Sequence, residues 1–235
     1  MELKKDCWTK KDFIEFEKYL ISISGTEINR QFEQKIVNTT LPCLAIKSPI
    51  VNDIISQISK GNFMQFLSVC EFNYHTETLI YAGLLCKIKN FDTFSQKLLE
   101  FSQKIDNWSS CDTLKFVINK DNKNSYFNLA QDLIKNEKTF TRRVRVRILF
   151  KFLDDEYIDR VLKIILSETD EKEYYVNMAL AWLMCECFIK QREKSLKVFE
   201  SKKLNQFVQN KAIDKCRDSF RVNSDDKLLL KKLKI

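Results

Sequence analysis

Turn residues are nearly missing from this sequence: its 235 residues include 3 glycines and 2 prolines. A compact β protein needs turn chemistry about every 8–12 positions, so the shortage excludes a sandwich or barrel and argues for helices joined by short polar loops. It also argues against long disordered segments. Histidine is as scarce, with His75 alone. The cysteines (Cys7, Cys43, Cys70, Cys86, Cys111, Cys185, Cys187 and Cys216) are scattered and contain no C-x-x-C; Cys185 and Cys187 have no second pair nearby to complete a four-ligand set. They read as reduced, mostly buried thiols of a cytoplasmic protein, with neither a metal site nor a cofactor implied. The start, MELKKDCWTKKDF, lacks the apolar stretch of a signal peptide, and no membrane partner is expected. Few apolar runs are left over for a surface, which favours a monomer.

What the sequence does have is a large apolar supply, 44% of residues with 18 phenylalanines, and a net charge of +8. A basic balance favours anionic partners, nucleic acid first, with a lysine-rich solvated surface as the plain alternative. The most apolar stretch is Tyr174–Lys190, YYVNMALAWLMCECFIK. As a helix it would span roughly 26 Å, short of the about 20 apolar residues a bilayer needs. A helix apolar on nearly every face belongs inside an α-domain, so this one is expected to be a central packing helix, with Trp182 at one edge.

Helical spacing runs along the rest of the chain: Asp12–Ile23, Thr26–Asn38, a segment from Pro49, Gly61–Cys70, Tyr74–Lys89, Phe91–Ile105, Ser109–Asn119, Asn124–Asn136, Phe140–Leu153, Glu156–Ser167, Glu171–Lys190, Glu193–Ser201, Phe207–Phe220 and Asp225–Leu233. Such regular helices predict an all-α chain, residues 1–235 as one domain, built as an α-solenoid of two-helix HEAT-like repeats about 40 residues long with a concave basic groove. A non-repeating bundle is the alternative.

Three places could carry chemistry. Trp108 and Asp112 stand four apart and would share a helix face, an aromatic plate beside a carboxylate; a core tryptophan with a capping aspartate is the plainer reading. Arg142, Arg143, Arg145 and Arg147 crowd one segment, alternating with valines, and suit either phosphate contacts or ion pairs with Asp154-Asp155-Glu156; the two stand level. Trp182 is the third. Arg143 follows Trp108, and Trp182 follows Arg143, by roughly one 40-residue repeat each, which would bring all three onto one concave face. Ser48 is placed to cap a helix with Pro49 in its first turn, and Lys47 beside that helix start could meet a phosphate.

The chain resembles the AlkD-like DNA alkylation repair glycosylases, which are built from HEAT-like repeats. The resemblance covers most of the chain and rests on EYYVNMALAWLMCECFIK and FVQNKAIDKCRDSFRVNSDDK, on the Trp-x-x-x-Asp of Trp108 and Asp112, and on LPCLAIKSP, where Ala45 replaces the family's usual glycine. It implies release of cationic purines such as 3-methyladenine and 7-methylguanine from double-stranded DNA. Trp108 and Trp182 would pack on the lesion's sugar, Asp112 would stabilise the oxocarbenium charge and position water, and Arg143 would hold a phosphate, with Arg145 and Arg147 as close competitors. The family has small or apolar residues where Arg145 and Arg147 stand. The expected location is cytoplasmic and nucleoid-associated. Rival readings are a non-catalytic repeat protein that binds damaged or branched DNA, and a protein–protein scaffold.

Overall fold

The computed structural model describes residues 1–235, the side chain of Lys135 excepted. Fourteen α-helices and no strand occur among the described residues, an all-α architecture in keeping with a helical-repeat solenoid. No helix among them is long and apolar enough to cross a membrane. The chain forms two compact units, residues 1–117 and 118–235.

The first unit holds α1 (Lys10–Ser22), α2 (Glu27–Val37), α3 (Ser48–Ile58), α4 (Phe63–Val69), α5 (His75–Leu85), α6 (Phe91–Lys104) and α7 (Trp108–Asp112). Polar caps start most of them: Thr9 and Asp12 form a reciprocal capping box on α1, and Thr26, Asn62 and Asn90 accept backbone N–H bonds at α2, α4 and α6. At α3 the expected cap is displaced by one residue. Ser48 lies inside the helix, Lys47 takes the cap position, and no side chain closes the end. The centre is α5, enclosed on nearly every side and packed on α3, α4, α6 and α7. Gly83 lets α3 come close, since a Cβ there would lie 2.5 Å from Ile55 Cδ1. At the N-terminal end Trp8, Phe16 and Phe66 meet edge to face.

The helix expected over residues 109–119 is cut short, because α7 ends at Asp112. Beyond it, Leu114 and Phe116 are buried while Lys115 and Val117 are exposed. That alternation has the two-residue period of extended chain and cannot be satisfied by a helix.

The second unit holds α8 (Lys123–Asp132), a 3-10 turn (Leu133–Lys135), α9 (Thr139–Leu149), α10 (Ile158–Ser167), α11 (Tyr174–Lys190), α12 (Arg192–Ser201), α13 (Gln206–Asp218) and α14 (Ser224–Lys231). Its hub is α11, whose bounds are those of the apolar run and which packs against α9, α10, α12 and α13. Leu180, Leu183, Met184, Cys187 and Phe188 are all enclosed, as expected for a helix apolar all round. Its reach is the second unit, however; α5 has the equivalent place in the first.

Candidate nucleic-acid interface

The Trp108–Asp112 pair occupies the two ends of α7, one turn apart and therefore on one face. Both side chains are half-buried. A helix of 5 residues has no stability of its own, so its position comes from outside contacts. Asn107, fully enclosed, accepts bonds from the Ser110 N–H (2.9 Å) and the Ser110 hydroxyl (3.0 Å). Ser110 Oγ in turn lies 2.6 Å from Thr78 Oγ1 on α5. Asp106 accepts from the Thr39 hydroxyl and from both the N–H and hydroxyl of Thr40, each at 2.6 Å. Burial opposes ionisation of Asp106, yet the bonds from Thr39, Thr40 and Asn107 hold its carboxyl below the usual range. The Trp108 indole N–H donates to the Ile36 carbonyl of α2 at 3.2 Å. Asp106, Asn107 and Trp108 fall between the helical periods of Phe91–Ile105 and Ser109–Asn119. An Asn before a short apolar turn is a capping signal, but nothing local in the sequence points to Thr39, Thr40 or Thr78.

Next to Ser110's partner, Glu77 is enclosed and accepts the N–H groups of Asn73 (2.7 Å) and Tyr74 (3.0 Å). Burial outweighs those bonds and pushes its carboxyl up to about 8. Glu33, Cys43 and His75 form the one cluster with metal-ligand atoms close together among the described residues, all within 4.8 Å. Both Glu33 oxygens are already engaged, Oε1 with His75 Nδ1 at 3.0 Å and Oε2 with the Ala45 N–H at 2.6 Å. Burial, helped by the Glu33 charge, pushes the Cys43 thiol up to about 12. Glu33 therefore works as a hydrogen-bonded support for the 43–45 turn, with His75 on its other oxygen. Ala45 in that turn has φ 51°, the left-handed conformation for which glycine is suited. Lys47 is exposed.

In the second unit the four arginines of α9 divide by face. Arg142 grips Glu171 with Nε (2.8 Å) and Nη2 (3.1 Å) while Nη1 donates to the carbonyls of Asn136 and Glu137. Arg143 is 5% exposed and donates to the Tyr175 carbonyl at 2.6 Å, holding the start of α11. Arg145 is fully enclosed, with Nη1 donating to Glu168 at 3.1 Å. A guanidinium in that position faces no surface phosphate. Ion pairs hold Arg142 and Arg145, but the carboxylates are Glu171 and Glu168; Asp154 and Glu156 pair with Lys123. Arg147 differs. It is half-buried, with its guanidinium carbon 4.8 Å from the Phe150 ring centre and 5.0 Å from that of Trp182. Trp182, half-buried on α11, meets Phe150 edge to face at 4.9 Å and has Lys215 of α13 at 5.9 Å. An ungapped count along the repeat picks Arg143; one turn later on α9 stands the arginine that touches Trp182.

Each unit thus presents a half-buried tryptophan beside a charged group: a carboxylate on α7 in the first, guanidinium and ammonium groups around α11 in the second. All eight cysteines are free thiols, five of them buried. No curated protein and no solved structure matches the chain. A family model does, running from within α1 to within α13 and so taking in Trp108, Asp112, Arg147 and Trp182: over residues 18–215 the sequence matches the DNA alkylation repair enzymes, and the chain belongs to that family.

Proposed function

We propose that this protein is a monofunctional DNA glycosylase that hydrolyses the N-glycosidic bond of cationic alkylated purines, 3-methyladenine and 7-methylguanine, in double-stranded DNA. The observation that carries the reading is the Trp108–Asp112 pair, set on one face of a short helix that buried polar groups hold in place, in a chain of the alkylation repair family. A purine alkylated at N3 or N7 already bears positive charge and leaves without help from a general acid. The remaining work is to stabilise the cationic sugar and supply water. A half-buried carboxylate next to an aromatic face does both, because its charge is fixed in place before the bond breaks. Asp112 has that role here and Trp108 packs against the sugar of the lesion, while Trp182 is an aromatic contact of the second unit with DNA. Arg147, oriented by Phe150 and Trp182, binds a backbone phosphate, and Lys47 is a further phosphate contact. Arg143 and Arg145 support α9 from within. The enzyme works as a monomer in the cytoplasm, on nucleoid DNA, without a cofactor.

Purified protein should release free 7-methylguanine from methylated duplex DNA. Asp112→Asn should slow release by roughly 100-fold or more at unchanged DNA affinity, the scale for removing one preorganised charge-stabilising group. Arg147→Gln should weaken DNA binding and flatten its salt dependence by about one counterion. Tight DNA binding with no base release by the wild-type protein would leave a non-catalytic binder in place of an enzyme.

A further inference from the structure

Arg145 lies two residues from both Arg143 and Arg147, about 200° round the helix from each, so it points to the opposite side of α9. Its side chain is fully enclosed, and while Nη1 donates to Glu168, Nε and Nη2 meet no acceptor among the described residues. A guanidinium has five donors and loses heavily when buried with some unused. This one lines a cavity of about 710 Å³ between α8, the 3-10 turn and α10. Arg160, Lys163 and Ser167 line it too, spaced along one face of α10. The Arg160 guanidinium carbon lies 4.0 Å from the Phe127 ring centre and 5.3 Å from that of Tyr157. Arg160 and Lys163 are exposed, and neither takes part in an ion pair among the described residues. Against these three cations stand Asp132 on the cavity wall and Glu168, which Arg145 engages. Ala130, Ile134 and Ile164 supply an apolar wall.

We infer that this cavity, on the far side of α9 from Arg147, binds a phosphomonoester of nucleotide size. Arg160 and Lys163 supply the charge at its mouth and Ser167 a hydroxyl, with the enclosed Arg145 guanidinium adding positive charge behind the wall. Planar fork donors and a nearby ammonium match a terminal phosphate, and the volume is that of a site for a small organic molecule, well beyond the needs of an inorganic ion. The apolar wall suits a base or sugar body. The ligand is a free mononucleotide or the 5′-phosphate end of a strand, which present the same group. The inference is independent of base release by Asp112.

Calorimetric titration tests it, with adenosine 5′-monophosphate, adenosine, the dinucleotide pTpT and its unphosphorylated form TpT as probes. Adenosine monophosphate or pTpT should bind with Kd below about 1 mM. Adenosine and TpT should give no signal, and the tighter of the two phosphorylated probes identifies the source. Lys163→Gln and Arg160→Gln, both at exposed positions, should each weaken binding at least about tenfold, the scale of a lost charge-assisted bond. Absence of binding by both phosphorylated probes at about 5 mM, or affinity unchanged in both Lys163→Gln and Arg160→Gln, overturns the proposal.

Discussion

The two units present a tryptophan by opposite means. In the first, Trp108 rides on a helix of 5 residues fixed by hydrogen bonds that reach back to Thr39, Thr40 and Thr78. In the second, Trp182 sits on a helix of 17 residues fixed mainly by apolar packing on most of its faces. Hydrogen bonds are directional and hold a carboxylate at a set angle, which suits Asp112. Packing is strong but indifferent to direction, and suffices for an aromatic wall and a stacked arginine.

The contrast predicts where pH acts. Glu77, beside the network under α7, is pushed up to about 8 from an ordinary 4.5. The native state therefore keeps a proton that the unfolded chain releases. The stability this contributes is complete below about pH 4.5 and is lost as pH rises through about 8, a change of several kcal/mol at most. Denaturant unfolding at pH 5, 7 and 9 should show the first unit weakening across that range, and Glu77→Gln should flatten the profile. A second unit that weakens equally would break the comparison.

Truncating the apolar support should cost more stability than truncating the polar one, with the reverse order in activity. Leu180→Ala should destabilise by about 2–5 kcal/mol, as a fully enclosed leucine does. Asn107→Ala should cost about 1–2 kcal/mol through the lost cap. At equal concentrations of native protein, Asn107→Ala should nevertheless release 7-methylguanine more slowly, because it misaims Asp112. Equal specific activities would show that the network holds α7 without setting its geometry.

The smallest effect concerns Ala45. Its left-handed backbone is strained for alanine, so Ala45→Gly should stabilise the first unit by about 1 kcal/mol, read as a higher midpoint of thermal unfolding.

Much of the helical skeleton was legible before the structure, since α11 coincides with the run Tyr174–Lys190 and the other long helices fall within a few residues of their apolar periods. The short α7 was not. Its end is set by the burial of Leu114 and Phe116, a demand of the surrounding core that no local period announces. The arginines of α9 were visible as a cluster, but their fates were not. Arg142 and Arg145 meet Glu171 and Glu168 from beyond α10, and the nearer acidic run goes to Lys123.

By itself the sequence determined the helical class, through its lack of glycine and proline and its apolar spacing, and it marked Trp108, Asp112 and Trp182 by residue type and position. Periodicity is a property of neighbours along the chain, and the sequence carries it in full. Only the tertiary structure decided that Arg147 is the arginine against Trp182, that Arg145 is shut away beside a cavity, and that α7 hangs on Asp106 and Asn107. Those outcomes depend on which polar atoms from distant segments meet once the apolar faces are buried, and burial is decided by the packing of whole helices rather than by any one stretch of residues.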